Sequence, residues 1–154
     1  MKKIDASRIY PKLWVGSFPP PQLRAAGFDA VVLCASESQH VKPDIFTIRA
    51  PFDDAGRPIT TEEFHRAWKA SKVVTKLRAN GKRVLVTCHM GVNRSAFVAA
   101  LSLMQLEGLP AKIAIERVRK ERQPAVDRTG HRVLGNESFV EALHKYERMR
   151  GTRH

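Results

Sequence analysis

The chain has 154 residues, 43% of them hydrophobic and 27% charged, enough for one globular domain with a sizeable core. Its 27 Lys and Arg against 15 Asp and Glu give a net charge of +12, which favours anionic partners: phosphoproteins, phosphoinositides, a membrane surface or RNA. Two Cys without zinc-like spacing, a charged N-terminal Met1–Asp5 and a longest apolar stretch of only Phe97 to Leu106 predict a cytoplasmic protein with no structural metal, signal peptide or bilayer span.

In chain order, Ile9-Tyr10 and Leu13 to Val15 read as short strands. Pro19-Pro20-Pro21 leads into a short helix over Gln22 to Ala26, stopped by Gly27. Ala30 to Cys34 is a continuous apolar run, the pattern of a central strand buried on both faces. Phe46 to Ile48 is a shorter strand before a loop over Pro51 to Pro58. Thr60-Thr61-Glu62-Glu63 has capping-box spacing. The helix it starts carries Phe64, Trp68, Ser71, Val74 and Leu77 as a core face and ends at Asn80-Gly81. After a strand at Val84 to Val86 and a helix from Ala96, Pro110 opens another helix, which reaches Arg122 and is ended by Gln123-Pro124. Arg128 to Gly135 is a polar loop, and Asn136 caps a final helix to about Arg150. The basic run Lys112, Arg117, Arg119, Lys120, Arg122, Arg128 and Arg132 reads either as an anion-binding surface or as solvated helix and loop residues. The alternation predicts a single α/β domain, its mostly parallel central sheet covered by helices on both faces, with ligands at the C-terminal strand ends.

The stretch with chemistry is Val84-Leu85-Val86-Thr87-Cys88-His89-Met90-Gly91-Val92-Asn93-Arg94-Ser95-Ala96. A strand feeds a loop that delivers its backbone N–H groups to a helix N-terminus, where the dipole favours an anion. Cys88 sits at the strand exit and Arg94 at the first helical turn, and N–H groups and guanidinium together favour the thiolate. The planar fork of Arg94 grips two phosphate oxygens at once, which Lys could not do. Gly91 permits close backbone approach. The bland alternative is a buried structural Cys beside a surface Arg.

Cys88 through Ser95 resembles the C-x5-R-S/T signature of the cysteine-based protein tyrosine phosphatases, and the chain resembles their small dual-specificity branch over roughly residues 8–147. Leu13-Trp14-Val15-Gly16-Ser17 and Gly27 to Leu33 resemble that branch's first core strands, and Pro51-Phe52-Asp53-Asp54 its general-acid loop. Ile115 to Arg119 and Asn136 to Phe139 resemble its closing helices. One departure stands out: the family usually has His before the nucleophile, and this chain has Thr87.

The resemblance implies a phosphoric monoester hydrolase without cofactor or metal. Cys88 would form a phosphocysteine, with Arg94 and the backbone of His89, Met90, Gly91, Val92, Asn93 and Arg94 holding the phosphate oxygens. Ser95 would donate to the Cys88 sulfur, and Asp54, the last residue of the matching loop, would be the general acid, with Asp53 as the alternative. The substrate implied is a phosphorylated protein. Two substrate classes compete on the same scaffold. RNA 5′-triphosphates suit the charge but belong to a branch that generally works without the Asp acid. Phosphoinositides suit it too, but that branch usually carries Lys within the loop. A phosphate-binding pseudophosphatase is the non-enzymatic alternative. Cys34 ends its strand at the edge where Cys88 ends its own, so it reads as either a redox partner for Cys88 or a core-filling thiol.

Overall fold

The computed structural model describes residues 4–19, 21–35 and 44–151; Pro20 of the proline lead-in, Met1–Lys3 and His154 lie outside them. Ile9, Leu13 and Val15 are buried, as the first apolar runs require, in strands β1 (Ala6–Tyr10) and β2 (Leu13–Gly16), which pair antiparallel. Strands β3 (Ala30–Leu33) and β5 (Val84–Thr87) are buried at every position, and β4 (Phe46–Arg49) is partly exposed. The order is β1-β2-β5-β3-β4, with β2, β5, β3 and β4 parallel. Fully buried, apolar strands are what the middle of a parallel sheet needs, because both faces are covered. Parallel pairing also brings the segments after Gly16, Leu33, Arg49 and Thr87 to one edge.

Helices α1 (Thr61–Ala79), α2 (Arg94–Leu106), α3 (Ala111–Val126) and α4 (Glu137–Gly151) pack on one face of the sheet, so among the described residues the expected helical cover of the second face is replaced by non-helical segments. They share one core cluster with Val84 and Val86 of β5 and Ala30 and Val32 of β3. Helix α2 is its centre, buried from Arg94 to Met104. Leu85, Val31 and Leu33 point the other way, into a smaller cluster with Leu23 and Phe28.

Two local expectations are corrected. Gln22 to Ala26 is not a helix but a set of turns, closed by Gly27 at φ +95°. Five residues between Pro21 and Gly27 are too few for an i→i−4 ladder, and the 2.9–3.2 Å hydrogen bonds that form are those of reverse turns. Leu23 and Phe28 still cover the second face of the sheet. Pro124 does not end α3, which runs to Val126. Pro124 and Lys120, whose carbonyl loses its helical partner, are both exposed, so solvent can take that carbonyl. Burial of Val126 draws the last turn inward, and Gln123 fastens it to Asp127 and to the backbone of His131 and Val133. At the other helix starts the expectations hold. Both capping-box hydrogen bonds of α1 form, between Thr60 and Glu63, and Asn136 Oδ1 accepts from Ser138 N–H at the start of α4.

Candidate active site

Strand β5 ends at Thr87, α2 begins at Arg94, and the six residues between them form the loop the sequence singled out. Thr87, where the family usually has His, is fully buried, and its hydroxyl donates to the Val32 carbonyl of β3 at 3.3 Å. Cys88 is 3% exposed, at the floor of the loop. Its Sγ accepts from Gly91 N–H at 3.2 Å and lies 3.2 Å from the buried Ser95 hydroxyl. The Gly91 N–H thus donates to the sulfur, and the Ser95 hydroxyl is placed where it can donate as well. Arg94 is 7% exposed and turns Nη1 toward the Phe52 carbonyl at 3.4 Å, so the guanidinium lies between the Cys88–Asn93 loop and the loop carrying Asp53 and Asp54. Val92 is buried and Met90 packs against the same cluster, which leaves their backbone as what they offer a ligand. His89 is exposed, its ring edge-on to Phe18 at 4.9 Å.

The loop is held from beneath by Arg122, fully buried at the end of α3. Its Nε donates to Gly91 O at 3.0 Å and its Nη2 to Met90 O at 3.1 Å. With these carbonyls tied down, the loop has a fixed outer rim. Asp5 neutralises the guanidinium through two contacts of 2.9 and 3.0 Å, and Ser7 accepts another at 3.1 Å. Arg122 in turn holds the Asp5 carboxyl below its usual range, against the cost of partial burial. Gly91 is required where these pieces meet. Its φ is +69°, and a Cβ would lie 2.5 Å from Arg122 Nη2 and 2.7 Å from the Gly16 carbonyl carbon.

Asp54 and Asp53, alternatives in sequence, face different neighbours. Asp54 Oδ2 accepts from Asn93 Nδ2 at 2.9 Å, and Oδ1 from Asn136 Nδ2 at 2.7 Å. Asn93 belongs to the Cys88–Asn93 loop and also accepts from Asn136 N–H at 3.1 Å, so three segments close on one carboxyl. Asp53 turns away, 60% exposed and 3.6 Å from Arg57. The Asp53 N–H donates to Glu63 Oε2, and Arg57 donates to both Glu63 oxygens. Arg57 chiefly, aided by the Thr60 and Asp53 N–H groups against the cost of burial, brings the Glu63 carboxyl down to about 2. The capping-box Glu of α1 therefore also anchors the acidic loop.

Three of these groups had no site role in the sequence reading. Arg122 lay in an undifferentiated basic run, Asn136 was a helix cap, and nothing near Asp5 in sequence points to α3. Cys34 lies one residue beyond the Leu33↔Thr87 pair of β3 and β5, its N–H bonded to Thr87 O at 2.8 Å. It is a free thiol in the same core cluster as Cys88, and burial, then the neighbouring Cys88, raise its pKa well above the usual thiol value. Beside the Cys88–Asn93 loop, a cleft of about 690 Å³ is lined by Asp54, Arg57, Asn93, His131, Arg132 and Asn136.

The family model described as the dual specificity phosphatase catalytic domain matches residues 11–149. Human dual specificity protein phosphatase 12 is 31% identical over 102 residues, covering 65% of this chain. The chain spans about 30% of that relative's length. Human DUSP28 superposes with a TM-score of 0.77 at 23% identity, covering 98% of both chains. A mouse putative dual specificity phosphatase, solved with zinc tungstate, gives 0.73 at 20% identity over 99% of this chain and 96% of its own. At these identities the two structures share the fold.

Proposed function

Because the chain belongs to the dual specificity phosphatase catalytic-domain family, we propose that it is a phosphoric monoester hydrolase working through a phosphocysteine, with phosphorylated Tyr, Ser or Thr of proteins as its substrate class. The observation that carries this is the convergence of Gly91 N–H and the Ser95 hydroxyl on Cys88 Sγ, with Arg94 beside them and Asp54 bonded to the loop through Asn93.

Cys88 thiolate attacks phosphorus in line, forming the S–P bond as the P–O bond to the leaving group breaks. Arg94 and the backbone N–H groups of residues 89–94 carry the equatorial oxygens through the transition state. Asp54 gives its proton to the departing oxygen. The Asp54 carboxylate then takes a proton from water as that water attacks phosphorus, and the thiolate leaves with Ser95 donating to it. No step needs a metal.

Asp54 beside the phosphate loop favours monoester hydrolysis over RNA 5′-triphosphate cleavage, which in related enzymes generally dispenses with such an acid. Residues 89–93 contain no Lys, unlike the loop usual in phosphoinositide-directed relatives. Two free, buried thiols suit a reducing compartment, and we assign the protein to the cytoplasm. The charge of +12 suits acidic phosphoproteins.

The test is a substrate panel run with Cys88→Ser as control: an aryl phosphate, phosphopeptides, phosphoinositides and 5′-triphosphate RNA. Hydrolysis of aryl phosphate and phosphopeptides by the wild type alone is expected. Oxyanion binding without turnover of any member would make the chain a pseudophosphatase, and preference for RNA or phosphoinositide would replace the substrate class.

A further inference from the structure

Helices α1 and α4 both pack on α2, and a groove separates them. Sequence periodicity assigns Phe64 and Trp68 of α1 to the core; Phe64 does pack on the core cluster while Trp68 does not, both are only half-buried, and with Tyr146 and Met149 of α4 they line this groove. Tyr146 lies against Phe64 at 6.2 Å, and Trp68 stacks on His65 at 6.0 Å. Met149 is 53% exposed, a large apolar side chain in open view. The groove does not end blindly. It continues through Ile59, Ala142 and Lys145 into a second cleft, of about 570 Å³, that reaches Pro58, Ser138 and Glu141. Those three residues also line the cleft containing Asp54 and Asn93. A row of adjoining clefts with shared walls therefore leads from the Cys88–Asn93 loop along α4, and we call this row the trough.

Its charge is one-sided. Lys145, Arg148 and Arg150 line the clefts beyond the catalytic end, against one carboxylate, Glu141. Fifteen residues of α4 at about 1.5 Å rise make roughly 22 Å, the length of about six or seven extended residues. We infer that this trough is an exosite for the substrate polypeptide: an acidic, extended segment flanking the phosphorylated residue, with an apolar or aromatic side chain seated against Phe64, Trp68, Tyr146 and Met149. This rests on the phosphoprotein reading above and deepens it. The cations suit acidic side chains, the aromatic floor suits one apolar anchor, and clefts that share walls up to the one containing Asp54 let one extended chain reach both.

The experiment uses two readouts. One is kcat/KM for a short phosphotyrosyl peptide, and for the same peptide extended on either side by seven residues of Glu and Asp around one Phe. The other is fluorescence anisotropy of the labelled extension alone, without phosphate. Variants Lys145→Glu, Arg148→Glu and Met149→Asp alter exposed residues outside the catalytic machinery, and their turnover of a small aryl phosphate should match wild type. One of the two extensions should raise wild-type kcat/KM roughly 5- to 30-fold, and each variant should remove most of that gain together with binding of the free extension. No gain from either extension, an equal gain in the variants, or equal binding of an all-acidic extension lacking Phe would overturn the exosite. So would sedimentation showing the wild type as a dimer that Met149→Asp dissociates, because a second copy would then cover the groove. Binding of the extension without hydrolysis of any phosphopeptide would leave the exosite standing and refute the substrate class. Hydrolysis without binding or gain would do the reverse.

Discussion

Asp54→Asn removes the proposed proton donor while keeping the shape and one acceptor oxygen of the side chain. Turnover of an alkyl phosphate should fall by about 10² to 10⁴, and that of a nitrophenyl phosphate far less, because a good leaving group needs little protonation. Asp53→Asn, at an exposed carboxylate turned toward Arg57, should leave both rates near wild type; the opposite pattern would exchange the two residues' roles. Cys88→Ser should end turnover while vanadate still binds, since the loop geometry survives. Arg94→Lys should lose most activity, a point charge replacing a two-pronged grip. Arg122 touches no substrate in this scheme and acts through the carbonyls of Met90 and Gly91. Removing its counter-ion with Asp5→Asn should lower kcat/KM about 10- to 100-fold with a parallel loss of vanadate affinity, and Asp5→Glu should restore part of both. A fall in melting temperature with unchanged vanadate affinity would make the pair merely structural.

Between elements, the loop with Asp54 depends on the first turn of α1. Glu63, normally near 4.5, is held at about 2 in the fold. A folded-state value below the unfolded one means its stabilisation is complete above about pH 4.5 and drains away as pH falls toward 2. Glu63→Gln should therefore melt below wild type at neutral pH, and the gap should close across that window. Thermal melts of the two proteins at stepped pH would show it; a constant gap would mean the carboxylate charge is irrelevant. Strands β3 and β5 set a second dependency, because adjacent strands run about 4.8 Å apart, inside the Cα range of a disulfide. Cys34 is proposed as the redox partner of Cys88. Peroxide converts the Cys88 thiolate to a sulfenic acid, which condenses with the protonated Cys34 thiol to a disulfide and water. Mass spectrometry should find a Cys34–Cys88 crosslink reversible by dithiols, and Cys34→Ala should inactivate irreversibly; equal recovery of both proteins would return Cys34 to a packing role.

Over the entire chain, a charge of +12 creates a field that a local variant does not remove. Raising salt from about 50 to 200 mM should lower kcat/KM several-fold for acidic phosphopeptides and much less for a small aryl phosphate. Equal salt sensitivity of the two substrates would mean that only the phosphate senses the charge. No helix among the described residues is long and apolar enough to cross a membrane.

What could be read directly from residue order is what neighbours along the chain decide. The apolar run before Cys88, the permissive Gly91, the helix after Arg94 and the box at Thr60 and Glu63 are all encoded within a few residues, where strand burial, backbone freedom and helix capping act. Short-range rules overreached where local and distant forces compete: at Pro124, where burial of Val126 carried α3 past its breaker, and at Trp68, where helical spacing suggested core but α4 stands apart from α1. The turn of Asp54 rather than Asp53 toward Asn93 follows from Glu63 and Asn136, 9 and 82 positions away from Asp54, because only folding brings those donors and acceptors within hydrogen-bond reach. The Asp5–Arg122 pair, 117 residues apart, is the extreme case. Ion pairs and hydrogen bonds carry no periodicity along the chain, so partners that distant leave no pattern in it; burial of a charged group selects them once the core around it has formed.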